Sequence, residues 1–117
     1  MSRKKILVAE SDKDALSSIC GFFHQENFEL LSAEDGARAF RIVEEQDPEL
    51  VVLAQKLPLL SGLEICCRIK SDPLLKRTVV ILVCVEESPD TIALCRSAGC
   101  DACLPGPPNR RNCMVWF

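Results

Sequence analysis

Leu50-Val51-Val52-Leu53-Ala54 is the most apolar short run of the chain, five residues with no polar interruption. A strand that faces water on one side alternates apolar and polar residues; a strand covered on both sides does not. The run therefore reads as a central strand of a parallel sheet with helices on both faces. Its neighbours repeat the theme. Ile6-Leu7-Val8-Ala9 and Val79 through Val85 are further unbroken apolar runs, the second rich in β-branched residues. Phe28-Glu29-Leu30-Leu31 reads as a weaker strand, and Asp101 to Leu104 as a short fifth one.

Segments of helical period separate these runs. Ser11 or Asp12 is placed to cap the first, in which Ala15, Leu16, Ile19, Phe22 and Phe23 recur on one face. Asp35-Gly36 punctuates the second strand, and Ala39, Phe40, Ile42 and Val43 form the buried stripe of the next helix, which Pro48 stops. A loop from Gln55 to Gly62 leads into a third helix with Leu63, Cys66, Cys67 and Ile69, ended by Asp72-Pro73. Gly62 is expected to follow a turn that needs positive φ. Ser88-Pro89-Asp90 starts a fourth helix through Ile92, Leu94 and Cys95, with Gly99 as its terminating glycine. Strands alternating with helices make an α/β fold built on a parallel sheet. The last helix is expected to be short or truncated, because Pro105, Pro107 and Pro108 interrupt the tail.

A chain of 117 residues is expected to be one domain able to bury a real core. Fourteen Lys plus Arg against 17 Asp plus Glu give a net charge of −3, so nucleic acid and anionic membrane are not the expected partners. Lys4-Lys5 and Arg110-Arg111 are too small as basic patches to change that. No stretch approaches the ~20 apolar residues of a membrane span. Eight cysteines in this setting are expected to be thiols in a reducing cytoplasm.

Several phrases, in order, resemble the receiver domain of two-component response regulators, with the chemotaxis regulator as type. They are Lys5-Ile6-Leu7-Val8-Ala9-Glu10-Ser11-Asp12, Ala33-Glu34-Asp35-Gly36, Pro48-Glu49-Leu50-Val51-Val52-Leu53-Ala54, Leu57-Pro58 with Ser61-Gly62-Leu63-Glu64, Ala98-Gly99-Cys100-Asp101 and Gly106-Pro107. The resemblance runs from Lys4 to about Pro107. It implies a flavodoxin-like, doubly wound (βα)5 three-layer sandwich with strand order 2-1-3-4-5, an order taken from the family. It also implies a domain over residues 1–117, expected to be the N-terminal domain of a longer protein.

In the family, an aspartate at the end of strand three accepts a phosphoryl group, and an acidic pair after strand one holds Mg²⁺. A Thr or Ser at the end of strand four, an aromatic in strand five and a following lysine complete the site. Carried over residue by residue, the phosphoacceptor position is Ala54, whose methyl has no nucleophilic oxygen. The acidic pair is Glu10 and Ser11. With Asp12 nearby this leaves at most a weak remnant of a Mg²⁺ site, so no metal or cofactor is expected. The switch hydroxyl is Cys84, the switch aromatic Cys103 and the lysine Gly106. The resemblance thus implies a degenerate pseudo-receiver: no enzyme, but a phosphorylation-independent module that binds proteins. Its expected face is helix four, strand five and the C-terminal tail, which also serves a homodimer. The family further implies a cis peptide bond, placed here at Gly106-Pro107.

The cysteines carry the alternative. Cys95, Cys100 and Cys103, with Cys113 as a fourth, have the spacing of a plant-type iron–sulfur set. That spacing runs through a helix end and a buried strand, where thiols more often act as small hydrophobes. Cys100 with Cys103 as a redox pair ranks above the cluster, but lacks the helix N-terminus that lowers a thiol pKa. Cys66-Cys67 is expected to be one buried and one exposed residue. A thiol sensor using Cys84, Cys100 and Cys103, or a small ligand in the emptied pocket, stays open as the second reading. His24 and the Glu86-Glu87-Asp90 group read as solvated surface.

Overall fold

The computed structural model describes residues 4–23, 28–84 and 89–105. Its strands are β1 (Lys4–Ala9), β2 (Phe28–Ala33), β3 (Leu50–Ala54), β4 (Val79–Cys84) and β5 (Ala102–Pro105). Its helices are α1 (Lys13–Phe22), α2 (Gly36–Gln46), α3 (Gly62–Ser71) and α4 (Pro89–Ser97). The strands form one parallel sheet in the order β2-β1-β3-β4-β5. This is the doubly wound topology expected above. Ser88, Val85 and the expected fifth helix lie outside the described residues.

β3 is central and carries the core. Val51, Val52 and Leu53 are fully buried, as are Leu7 and Val8 of β1 and Val80 and Leu82 of β4. Side chains alternate across the sheet, so two cores form. Leu7, Val51, Leu53 and Leu82 pack with Val43 of α2, Ile65 and Ile69 of α3, and Cys95 of α4. Ile6, Val8, Val52 and Val83 pack on the other face with Ile19 of α1. Burying such a side chain is worth roughly 1.5–3 kcal/mol, which is why an unbroken apolar run is stable only here.

Polar caps set the helix starts. Asp12, Asp35 and Ser61 each accept backbone N–H groups of the first turn of α1, α2 and α3, at 2.9, 2.7 and 3.2 Å. Asp12, and not Ser11, is thus the cap of α1. α2 ends at Gln46, where Asp47 adopts a left-handed conformation (φ 48°) before the fully buried Pro48. Gly99, at φ 86°, terminates the α4 segment as expected.

A positive φ does precede Gly62, as expected, but Leu59 carries it, at 70°, and the φ of Gly62 itself is not positive. Gly62 is needed because a Cβ there would stand 2.0 Å from the carbonyl oxygen of Ala54. Gly36 meets the same demand, since its Cβ would lie on the Leu60 carbonyl, and its N–H donates to the Pro58 carbonyl at 2.9 Å. The β3–α3 loop is therefore clamped against the starts of α2 and α3 by backbone contact.

A polar tie secures the other end of the sheet. Lys70 of α3 pairs with Asp101 at 2.7 Å and donates to the Thr78 carbonyl at 2.7 Å, while Asp101 accepts the Val80 N–H at 2.8 Å. Burial pushes the Asp101 carboxyl up, but the bonds from Lys70 and Val80 outweigh it and hold the group below its ordinary value of 3.8.

Two outcomes follow from these contacts. Gly62→Ala is expected to destabilise the domain by about 1–3 kcal/mol in denaturant unfolding, because backbone must move to admit the methyl; an unchanged midpoint would contradict the close approach. Asp101→Asn is expected to cost roughly 1 kcal/mol at pH 7, a solvent-screened figure. A depressed carboxyl stabilises the fold above its unfolded pKa, and that contribution is lost as pH falls through the folded one. The difference between Asp101→Asn and the parent should therefore close below about pH 3.8 in thermal melts; a difference that stays constant with pH would rule out the ionic contribution.

Candidate functional site

In an open α/β sheet the carboxyl ends of the strands are where side chains leave the covered interior and meet solvent. Here that edge is formed by Glu10 after β1, Ala54 at the end of β3 and Cys84 at the end of β4. Ala9 pairs with Leu53 and Ala54 with Val83, so Glu10 and Ala54 follow each other across neighbouring strands. Gln55 donates its N–H to the Val83 carbonyl at 3.0 Å and accepts the Gly62 N–H at 3.0 Å. Ala54 is 6 % exposed and packs into the core.

Glu10 is half-buried, and its N–H donates to the Ala33 carbonyl at 3.0 Å. Burial pushes its carboxyl above the ordinary range; the Ser11 backbone hydrogen bond opposes this and the charge of Asp12 adds to it. Ser11 is exposed. Asp12 is engaged elsewhere, one carboxylate oxygen accepting the N–H groups of Asp14 and Ala15 at 2.9 and 3.2 Å. Mg²⁺ takes near-octahedral oxygen coordination through one or two carboxylates plus water and substrate oxygens. Among the described residues this edge supplies Glu10, a hydroxyl, a capping carboxylate and a methyl. That donor set does not fit a Mg²⁺ site. Gly106, the expected counterpart of the lysine, and the Gly106-Pro107 bond lie outside the described residues.

Cys84 packs toward α4 and β5. It is 2 % exposed, with its Sγ 3.0 Å from Cys95 Sγ and 2.7 Å from Cys103 Sγ. The three sulfurs lie within 4.8 Å of one another. Burial, and then the hydrogen bonds to Cys103 and Cys95, push the Cys84 thiol well above its usual range; burial raises Cys103 as well. This group differs from both sets read from spacing. Cys100 does not join it, while Cys84, eleven residues before Cys95, does. Cys113 lies outside the described residues. Sequence spacing selects neighbours along the chain, whereas a parallel sheet brings together positions a whole helix apart.

Cys66 and Cys67 lie apart from this group. Cys66 is fully buried and donates to the Ala98 carbonyl at 3.4 Å; burial first, then the nearby Cys100, push it up to about 12. Cys67 beside it is exposed, so the pair divides as expected. His24 lies outside the described residues.

No helix among the described residues is long and apolar enough to cross a membrane. Comparison with known proteins agrees with the topology. The chain is 26% identical over 112 residues to the alkaline phosphatase synthesis transcriptional regulatory protein PhoP of Bacillus subtilis, covering 96% of this chain and 47% of that protein. It is 31% identical over 70 residues to sporulation initiation phosphotransferase F of the same organism, covering 60% of this chain and 56% of that one. The chain thus spans about half the length of these relatives. Among solved structures, the Mn²⁺-bound form of response regulator Rcp1 superposes with a TM-score of 0.79 at 24% identity, covering 92% of this chain and 84% of that one. A response regulator from Chloroflexus aurantiacus superposes at 0.83 with 18% identity, covering 91% and 87%. At these identities the superpositions speak for the fold alone. The response regulator receiver domain model matches residues 6–114, nearly the whole chain, and with the five-stranded topology this places the chain in the response regulator receiver domain family.

Proposed function

We propose that this receiver domain is a two-component signalling module that acts without phosphoryl transfer, by contact with a protein partner. The observation that carries this reading is Ala54. It stands at the carboxyl end of the central strand, where the family's nucleophile is expected, and offers a methyl group. An aspartyl phosphate requires a carboxylate oxygen as nucleophile, and no neighbour on β3 supplies one. Ser11 in place of a second acid and Gly106 in place of a lysine point the same way. On this reading the domain is not an enzyme, works in the cytoplasm and serves as the N-terminal part of a longer regulator.

The partner face we propose is α4 with β5 and the following tail. Leu94 is 55 % exposed and Ile92 36 %, on a short helix whose buried side rests on Thr91 and Cys95. Exposed apolar side chains grouped on one element fit a contact surface for a protein, either another chain or a second copy of this one. The net charge of −3 gives nucleic acid no electrostatic advantage.

Beryllofluoride with Mg²⁺, a phosphoryl mimic, tests the loss of chemistry directly. Amide NMR spectra of the labelled domain are expected to be unchanged; saturable shifts at Glu10, Ala54 and Cys84 would overturn the reading. Ala54→Asp restores the carboxylate but not its partners. It is expected to lower stability by about 1–3 kcal/mol through burial of a polar group without full hydrogen bonding, and to gain no stability from added Mg²⁺. A rise in melting temperature with Mg²⁺ would show that the metal site survives.

A further inference from the structure

Cys84, Cys95 and Cys103 come from three different elements, β4, α4 and β5, and converge on one point. A buried thiol is ordinarily a small hydrophobe, and one in contact with apolar groups needs no further account. Three sulfurs facing one another are different, because each displaces the apolar contact the others would have made. The group also has access. Cys84 and Cys103 line a surface cleft of about 460 Å³ together with Ile92, Arg96 and Cys100, and Cys103 is only half-buried.

We propose that Cys84, Cys95 and Cys103 form a three-coordinate site for a thiophilic trivalent ion of the arsenous-acid class. The reaction balances without an oxidant. Three thiols condense with one molecule of As(OH)₃, so that three As–O bonds break and three As–S bonds form. Each thiol proton leaves with a hydroxide as water, and arsenic remains trivalent.

Charge selects this class over other soft ions. Thiolates also bind Cu(I) and Zn(II). Three thiolates around Cu(I) would leave two negative charges in the interior, and around Zn(II) one; uncompensated buried charge is costly. Three around a trivalent ion leave none. The raised Cys84 and Cys103 thiols agree with this, since burial keeps them protonated and a condensation starts from protonated thiols. Zn(II) in structural sites also asks for a fourth ligand. Among the described residues the group has three.

A disulfide between Cys84 and Cys103 fits less well. Leu82 pairs with Cys103 and Cys84 with Pro105, so Cys84 and Cys103 are two residues out of register. At ~3.3 Å rise per residue and ~4.8 Å between strands their Cα atoms are about 8 Å apart, beyond the ~7 Å that a disulfide tolerates. An ion seated between the sulfurs leaves the register alone. It would also join β4 to α4 and β5, the two elements of the proposed partner face, and so tie that face to the ion. The site does not depend on whether phosphoryl chemistry is lost.

The test uses the whole chain, reduced, with arsenite as the probe. One equivalent is expected to bind and to lower the titratable thiols from eight to five. X-ray absorption should show three sulfur neighbours and no oxygen. Cys84→Ala, Cys95→Ala and Cys103→Ala are each expected to weaken binding at least tenfold, while Cys67→Ala and Cys100→Ala leave it unchanged. Circular dichroism identifies any variant that fails to fold, and the spectroscopy on the parent chain stands without the variants. Loss of only two thiols, dependence on Cys100, or displacement of arsenite by one equivalent of Zn(II) or Cu(I) would overturn the proposal.

Discussion

Burial of the central strands on both faces is the constraint on which the rest of the molecule depends. Val51, Val52 and Leu53 have no solvent-facing side, and Leu7 and Val8 beside them have none either. A polar group along these strands would be stranded without water. Chemistry is consequently confined to the strand ends, where Glu10, Ala54 and Cys84 stand. The covered interior fixes the fold, and the strand ends are where polar side chains can stand.

On the proposed reading, that separation explains how a receiver scaffold accommodates an altered edge. On the reading proposed here, replacing a charged nucleophile by Ala54 removes a group that the fold had to tolerate, and places a methyl in a site already 6 % exposed. The loop between β3 and α3 is held by contacts of glycine against carbonyl, Gly62 on Ala54 and Gly36 on Leu60. Cys84 and Cys103, which the proposed reading places at the family's switch positions, meet Cys95 through their sulfurs. A Thr and an aromatic of the usual kind would make hydrogen bonds and fill volume; thiols fill less and bind soft ions.

Most of the fold was legible in the residues. Unbroken apolar runs admit few alternatives to a strand covered on both sides, and Asp35 and Gly99 act at the turns where their chemistry is expected. The misreadings have physical causes. Gly62 looks like a turn glycine, yet its role is close packing against Ala54, a contact between elements that no local pattern encodes. Leu59 takes the left-handed conformation, φ 70°, which an apolar residue with a Cβ rarely adopts and which its residue type does not announce. Asp12 reads equally as a helix cap or a metal ligand; only the bonds to Asp14 and Ala15 decide. Cys84 and Cys103 already stood together in the thiol-sensor reading, but Cys95 as their partner was hidden for the same reason as Gly62. Cys84 and Cys95 are joined by the packing of α4 on the sheet, and spacing along the chain points instead to Cys100.

Exposure of the domain to acetyl phosphate and Mg²⁺, followed by intact-protein mass spectrometry at neutral pH, tests the central claim most directly. The account predicts that the mass does not change at any time point, while a receiver with an aspartate at the end of its third strand, treated alongside, gains one phosphoryl group. A stoichiometric phosphoryl adduct on this chain, labile in base, would contradict it.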